Sequence, residues 1–275
     1  GNDVVFIGLV DLSVYYDGGA TWGSAANGLT GQALIHVDHH GATVNPNNPS
    51  ELLFGSDGGV FRATVSGSSV SYAQLNKNLF TTQFYHAAFS ADNDSIIIGG
   101  TQDNSSPASL GDLANWQNPG AGDGGYGGIS QQNPAVQVTS SQFLGMYLTT
   151  NLWVNTRNIS PNTNGENVPF IGEIEMDPAD GNRIYAGTNY LHRYDVAGRS
   201  WSYRLGGYNF VPNGQISAIA IARSQNSRIY VGTNRGTVHM STDNGASFRP
   251  ITGTGLPNRT ITDLYVSPSN PDEVV

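Results

Sequence analysis

A short apolar run that ends in glycine recurs along the chain, and this recurrence limits the fold more than any other feature of the sequence. The clearest copies end at Gly8, Gly55, Gly99, Gly187 and Gly232. They are spaced by about 45 residues, or by twice that where the weaker run Val136-Gln137-Val138 fills the gap. A fixed period of about 20–50 residues is typical of repeat architectures. The chain is therefore predicted to repeat one structural unit.

Each unit reads as four short strands without a helix. In the last complete unit, the strands are expected at residues 215–222, 229–232, 237–241 and 247–252. No stretch shows a convincing helical period. Four strands in each of several repeats are typical of a β-propeller, in which neighbouring sheets cover one another's faces. We therefore predict an all-β fold, a β-propeller of four-stranded antiparallel blades.

The period predicts six blades' worth of sequence in a single domain, residues 1–275. The approximate blades are residues 2–29 with 259–275, 31–79, 81–119, 123–160, 168–207 and 214–256. Val4-Val5 and Val274-Val275 occupy equivalent places in the repeat. The C-terminal strand therefore either closes a six-bladed ring or belongs to a ring of seven or eight blades. Because both ends fall within strands, we expect an excerpt of a longer protein.

Composition excludes several classes of protein and site. The 275 residues include no cysteine, which rules out a disulfide framework, a cysteine zinc site and a thiol nucleophile. The net charge of −9 disfavours a partner with a phosphate backbone, so no nucleic acid is expected. No apolar run approaches the length of a membrane helix, so no membrane insertion is expected. The single lysine and abundant asparagine favour a secreted or cell-surface bacterial protein.

Residues 15–22 and 241–248 follow the pattern Ser-x-Asp-x-Gly-x-Thr-Trp, with Tyr15 in place of Ser and Phe248 in place of Trp. This pattern resembles the Asp box, or bacterial neuraminidase repeat, of a β-propeller superfamily that includes sialidases, sortilin-type domains and xyloglucanases. The resemblance implies that the boxes are structural hairpins on the periphery, away from any active site. The residues assigned to these hairpins are Asp17, Gly19, Trp22, Asp243, Gly245 and Phe248.

Polar segments are predicted to gather at the propeller face where the first strands of the blades begin. Loops between second and third strands return to the same face. The candidate ligand-binding residues there are His36, Asp38, His39, His40, Asp57, Gln102, Asp103, Asn104, Asp123 and Tyr126. Asp11, Asn189 and Asn234 lie at or near the position of Asp57 in other repeats. Concave sites with a few convergent polar groups are the usual place for a ligand.

The histidine cluster is also a candidate metal site. Strand alternation places His36, Asp38 and His40 on one face, and imidazole and carboxylate are ligands for zinc and other transition ions. In an extended strand, His36 and His40 lie too far apart to bind the same ion. Only an adjacent pair, His36 with Asp38 or Asp38 with His40, could bind one ion. Hydrogen bonding between blades is the favoured alternative. The sequence gives no reason to expect a required cofactor. A structural metal ion is the one bound group that the sequence would allow.

Asp57 and Asp123 are the candidate catalytic carboxylates. The segment Ser56-Asp57-Gly58-Gly59 resembles the xyloglucanase segment in which an acid before Gly-Gly is catalytic. The segment around Asp123 faintly resembles the one bearing that family's other acid. Glycoside hydrolysis needs two such carboxylates. That family draws its two acids from two propellers, whereas Asp57 and Asp123 lie on two blades of one predicted propeller. Capping of turns is the favoured alternative.

Two further sets of residues are expected to serve packing. Glu173 and Glu175 alternate along a first strand and are expected to make hydrogen-bonded or arginine-paired contacts between blades, because an unpaired buried acid is costly. Trp116, Trp153 and Tyr208 are expected to pack between blades rather than to stack on sugars.

The leading hypothesis is a secreted propeller without catalytic activity that binds a glycan or an extracellular protein through its polar rim. The alternative is a glycoside hydrolase that uses Asp57 and Asp123 on a polysaccharide. A third hypothesis is a purely architectural domain of a large surface protein.

Overall fold

The structure, a computed structural model, describes residues 4–16, 23–24, 35–67, 69–77, 79, 82–120, 122–212, 214–251 and 255–275. The chain forms two compact units, Gly1–Thr82 and Gln83–Val275. The single domain and the blade boundaries predicted from the period stay predictions.

The first unit contains two antiparallel sheets. The three-stranded sheet consists of β1 (Val4–Gly8), β2 (Leu12–Tyr16) and β3 (Gly23–Ser24). The four-stranded sheet consists of β4 (His39–Val44), β5 (Glu51–Ser56), β6 (Gly59–Ser66) and β7 (Ser69–Gln74). Leu12, Ile35, Phe54, Phe61 and Ala63 form the core of this unit.

The second unit contains four antiparallel sheets of four strands each. The first two consist of β8 (Phe84–Phe89), β9 (Ile96–Thr101), β10 (Ala108–Leu110) and β11 (Trp116–Gln117), then β12 (Gly124–Ile129), β13 (Gln137–Ser141), β14 (Gly145–Thr149) and β15 (Arg157–Asn158). The last two consist of β16 (Ile174–Met176), β17 (Arg183–Gly187), β18 (Leu191–Asp195) and β19 (Ser200–Ser202), then β20 (Ile216–Ile221), β21 (Ile229–Thr233), β22 (Val238–Ser241) and β23 (Arg249–Pro250). Two short 3-10 turns, Gln142–Leu144 and Leu205–Gly207, are the helical elements of the described residues.

The apolar runs that form β17 and β21 are second strands buried on both faces, whereas the run in β1 leaves Val5 and Ile7 exposed. In β17, Ile184 and Ala186 pack in one core cluster while the intervening Tyr185 packs in another. All five residues of β21 are buried. Alternate side chains of a strand point to opposite faces, so continuous apolar runs indicate a sheet covered on both sides. This burial explains why the runs are continuous rather than alternating.

The chain after β23 begins a further antiparallel pair. Val266 and Val274 form a bridge, and Tyr265 and Val275 exchange backbone hydrogen bonds of 2.9 and 3.0 Å. The side chain of Val275 is exposed. This pair follows the fourth complete sheet of the second unit.

The predicted all-β class and the four-stranded antiparallel unit are confirmed. Six sheets are present among the described residues, five of them with four strands. Within the same residues, no helix is long and apolar enough to cross a membrane.

Candidate functional site

His40 and Asp57 are linked directly within the first unit. The pairing of β4 with β5 is irregular between His39 and Gly41, which places a bulge at His40. The His40 Nε2 atom lies 2.5 Å from the Asp57 Oδ1 atom. Asp57 stands in the turn between β5 and β6, so this contact ties the turn to the first strand of the same sheet.

The other predicted rim residues of the first unit point in different directions. His36 packs its Cβ atom against Gly58 and contacts the Val37 carbonyl oxygen through Nδ1. Asp38 takes a left-handed backbone conformation, with φ of 60°. The His39 ring lies edge-on to Phe54, and its burial lowers the pKa of this histidine. No group of three His, Cys, Asp or Glu side chains among the described residues is arranged to hold a metal ion.

Asp123 caps a tight turn in the second unit. Its Oδ1 atom accepts a hydrogen bond of 2.9 Å from the backbone N–H of Asp103, which has a φ of 59°. The Gln102 N–H donates to the Gln83 carbonyl oxygen, and the Asn104 N–H donates to that of Gln102. The geometry therefore gives the Asp123 carboxylate a capping role, the alternative that the sequence favoured over catalysis.

Asn189 and Asn234 act in the same way in later sheets. Their Oδ1 atoms accept hydrogen bonds from the backbone N–H groups of Asn167 and Gln215, respectively. In each case, the loop after the second strand is held to the segment before the first strand. Asn189 and Asn234 therefore satisfy the backbone of their own sheet, whereas Asp123, just before β12, accepts from the loop between β9 and β10 of the preceding sheet.

The segment 241–248 forms the hairpin between β22 and β23. The Asp243 Oδ1 atom accepts hydrogen bonds from the Ser247 N–H and the Ser241 hydroxyl, and the Ser247 hydroxyl donates to Oδ2. The Ser247 contacts are the largest reason that the Asp243 pKa falls to about 2. Gly245 has a φ of 83°, and Phe248 packs on Phe210. Asp17, Gly19 and Trp22 of the first copy lie outside the described residues.

A cavity of about 470 Å³ in the second unit is lined by β8, β12, β16 and β20, the first strands of four successive sheets. The C-terminal segment 262–266 completes its wall. Titratable residues on this wall are Tyr85, His86, Tyr126, Glu173, Glu175 and Asp263. The volume lies in the range of about 300–1,000 Å³ that is typical of ligand pockets. We call this feature the acidic cavity.

Glu173 joins the first strands of three sheets. The Tyr126 hydroxyl of β12 and the backbone of Ile219 in β20 lie close to its carboxyl group and lower its pKa. Burial is the larger effect and raises the pKa to about 8, and the negative charge of Asp263 adds to this rise. The residue is 8% exposed. Glu173 therefore lies against two neighbouring sheets, and the expected hydrogen bonding there stays a prediction.

Glu175 differs from that expectation. Its pKa is also raised to about 8, first by burial and then by the charges of Glu173, Asp263 and Asp177. No arginine is among the neighbours that shift this pKa. Its side chain faces the acidic cavity rather than a paired contact. Burial and the mutual repulsion of the two glutamates therefore favour their neutral forms.

Aromatic side chains also line the acidic cavity. The His86 and Tyr126 rings lie 4.7 Å apart at an angle of 30°, and burial lowers the pKa of His86, so its ring is neutral. Tyr85 and Tyr265 border the cavity with 39% and 60% of their surface exposed. These two rings present accessible faces beside the three carboxyl groups.

The aromatic residues selected from the sequence take other positions. Trp153 is buried, and its Nε1–H donates to the Gln137 side-chain oxygen. Tyr208 packs against Phe210 and Phe248. Trp116 is 45% exposed but lies outside the acidic cavity, with its Nε1–H bonded to the Leu113 carbonyl oxygen.

Sequence reasoning did not select Tyr85, His86, Tyr265 or Asp263. The position of these residues within the repeat could have indicated them. Tyr85 and His86 lie at the start of a first strand, and Asp263 and Tyr265 lie in the C-terminal segment where the repeat predicts another first strand. Only the three-dimensional register shows which face of those strands borders the cavity.

Comparison with known proteins places the fold. No protein-family model matches the chain, and no curated protein matches its sequence. Among solved structures, the GH74 xyloglucanase from Xanthomonas campestris is similar over 100% of this chain and 48% of its own, with a TM-score of 0.55 and 12% identity. The Niastella koreensis GH74 enzyme is similar over 91% of this chain and 45% of its own, with a TM-score of 0.49 and 15% identity.

The chain thus spans about half the length of the solved structures that it matches. Sequence identity of 12% shows the fold alone. The first comparison, together with the four-stranded antiparallel sheets, establishes the β-propeller fold class that the repeat predicts.

Proposed function

We propose that this chain is a carbohydrate-binding β-propeller whose ligand occupies the acidic cavity. One observation carries the proposal: the first strands of four sheets and the C-terminal segment 262–266 together bring two exposed tyrosines and three carboxyl groups to the same concave surface. Aromatic faces provide apolar contact area for a sugar ring, and carboxyl groups hydrogen-bond to its hydroxyls. Similarity in fold to a xyloglucanase supports a carbohydrate ligand.

The protonation of the glutamates favours binding over catalysis. A general base must be ionised, and the pKa values of Glu173 and Glu175 are both raised to about 8. At neutral pH both carboxyl groups are neutral, so each can donate one hydrogen bond and accept others. This pattern suits recognition of sugar hydroxyls.

Glycoside hydrolysis is the second candidate, and the spacing of the two glutamates favours it. Residues two apart in a strand are separated by about 6.6 Å and point to the same side. Inverting enzymes use about 6.5–9.5 Å between their two carboxyl groups, a separation that this backbone spacing allows. Such an enzyme would gain its base only as the pH approaches 8. The pairing of Asp57 with Asp123 remains the catalytic alternative predicted from the sequence.

The remaining predictions complete the proposal. The hydrogen bonding around Asp243 supports membership of the Asp-box superfamily, and we assign the protein to the cell exterior. Binding of an extracellular protein through the polar rim is the outcome expected if no glycan binds.

Isothermal titration calorimetry on a panel of oligosaccharides tests the proposal. We expect binding by the native chain and a weakening of up to about tenfold in Tyr265→Ala, because an aromatic contact contributes about 0.5–1.5 kcal/mol. Trp116→Ala is the matched control, since Trp116 is exposed outside the cavity. A loss in Trp116→Ala but not in Tyr265→Ala would place the ligand elsewhere. Reducing-sugar release by the native chain would favour the hydrolase.

A further inference from the structure

We propose that the acidic cavity recognises a primary ammonium group, so that its preferred carbohydrate carries free amines. The inference rests on the proposed function and specifies the substrate class. It starts from three carboxyl groups, those of Glu173, Glu175 and Asp263, that face one cavity from two different parts of the unit.

Among the described residues, no arginine, lysine or histidine forms an ion pair with any of the three acids. The pKa of each glutamate is raised by burial and by acidic neighbours, and no positively charged side chain is among the causes of either shift. Arg223 borders the cavity after β20, yet it contributes to neither shift. The positive charge that this arrangement favours is therefore one that a ligand can supply.

Glu175 is the group best placed to meet that charge. The Tyr126 hydroxyl and the Ile219 backbone favour the charged form of Glu173, whereas every charged neighbour of Glu175 disfavours its charged form. A buried carboxyl without a partner gains most from an incoming cation, because the ion pair offsets the desolvation of the charged form. Ammonium binding therefore converts Glu175 from a neutral acid into a carboxylate.

The other groups around Glu175 are compatible with a cation. Asp177 follows on its own chain segment, Asp263 faces it from the C-terminal segment, and Tyr126 and His86 face the cavity from β12 and β8. Burial keeps His86 neutral, so it adds no repulsion. Tyr85 and Tyr265 offer π faces, which attract ammonium groups at distances below about 6 Å.

An ammonium ligand fits this wall better than a metal ion. Among the described residues, no three acidic or imidazole side chains converge closely enough to hold a metal. A primary ammonium group can donate to a single carboxylate, so it needs no such convergence. The cavity volume of about 470 Å³ also leaves room for a sugar ring beside its amino group.

Calorimetry with three matched tetramers tests the inference, using glucosamine, N-acetylglucosamine and glucose as the repeated sugar. We expect the glucosamine tetramer to bind at least tenfold more tightly than the other two at pH 7. Its binding should release protons, visible as a heat that differs between buffers of different ionisation enthalpy, because Glu175 loses its proton. Spermidine tests whether an ammonium without a sugar suffices.

Glu175→Gln is the decisive variant, since glutamine keeps the shape and cannot ionise. We expect it to lose at least tenfold in affinity for the glucosamine tetramer, to lose the proton release, and to bind the neutral tetramers as before. Glu273→Gln, an exposed site outside the cavity, is the matched control. Thermal unfolding of both variants verifies that they are folded.

The outcomes separate the inference from the proposed function. Equal affinity for the three tetramers, or unchanged glucosamine binding in Glu175→Gln, would overturn the ammonium inference and leave the carbohydrate function standing. Absence of binding to any sugar would overturn both. Tight spermidine binding without sugar binding would overturn the amino-sugar assignment together with the carbohydrate function.

Discussion

The Tyr126 hydroxyl lies beside the Glu173 carboxyl group at the wall of the acidic cavity, where the first strands of two successive sheets meet, and each group shifts the pKa of the other. Burial and the nearby acid raise the Tyr126 pKa, so its hydroxyl keeps the proton that it can donate to Glu173. With Glu173 held in this way, the neighbouring Glu175 is left to face the cavity. The two glutamates therefore have different roles.

Tyr126→Phe removes the donor to Glu173. We expect the free energy of unfolding to fall by about 1 kcal/mol, the usual net value of one hydrogen bond, and the pKa of Glu173 to rise further. Denaturant unfolding and a carbon-13 titration of the carboxyl group measure the two effects. Tyr147→Phe is the matched control in β14. Equal losses in the two variants would contradict the assigned bond.

The acidic cavity should make the fold less stable as the pH rises. Glu173 and Glu175 have pKa values of about 8 when folded, above the ordinary value of 4.5. Between these values the folded chain holds more protons than the unfolded chain, so the free energy of unfolding decreases with pH. The destabilisation should build up from about pH 4.5 and level off above pH 8.

Thermal unfolding between pH 4.5 and 9 measures this dependence. The double variant Glu173→Gln, Glu175→Gln should flatten it, whereas Glu273→Gln should not. A native chain whose Tm is constant or rises across the window would show that the glutamates are ionised in the fold.

A second buried acid stabilises the loop between β17 and β18. The Glu166 carboxylate accepts hydrogen bonds from the Thr188 hydroxyl, the His192 Nε2–H and the Arg204 Nε–H. His192 keeps its other nitrogen unprotonated, because Nδ1 accepts the Arg204 backbone N–H. These bonds lower the pKa of Glu166 despite its burial.

Glu166→Gln should therefore reduce the free energy of unfolding by about 1.5–3 kcal/mol, the usual value for hydrogen bonds to a charged group. Denaturant unfolding measures the loss. Glu51→Gln changes the hydrogen bond that the Asn45 side chain donates to Glu51 in the other unit, and it should have a smaller effect. A loss no greater than that of Glu51→Gln would indicate that the Glu166 network contributes little.

The hairpin at residues 241–248 should depend on the Asp243 carboxylate. Because the Asp243 pKa is lowered to about 2, its contribution is present above the ordinary value of 3.8 and is lost as the pH falls through 2. We expect Asp243→Ala to lower the Tm and to speed hydrogen exchange at the Ser247 N–H. Asp243→Asn keeps an acceptor oxygen and should exchange more slowly than Asp243→Ala. Identical exchange in both variants would argue against the capping role.

The repeat predicted the fold because burial of second strands is a local property of sequence. The runs that include Tyr185 and Tyr230 are apolar throughout, since sheets cover both of their faces. The acidic cavity depends instead on strand register. The sequence predicted a paired contact for Glu175 and did not indicate Asp263 or Tyr85 as site residues. These residues lie on strands and segments far apart in sequence, so only the structure shows that they border the same cavity.

The polar rim shows a different limit of sequence reasoning. A carboxylate in a glycine-rich turn has the same sequence signature whether it binds a ligand or caps the backbone. In the structure, Asp123 accepts the Asp103 N–H, and Asn234 accepts the Gln215 N–H. Only hydrogen-bond partners distinguish the two roles.

The most direct test is a carbon-13 titration of the Glu175 side-chain carboxyl group, in the free protein and with the glucosamine tetramer. The account predicts a midpoint near 8 in the free protein and a lower midpoint when the sugar is bound. A midpoint near the ordinary value of 4.5 that does not respond to the sugar would contradict it.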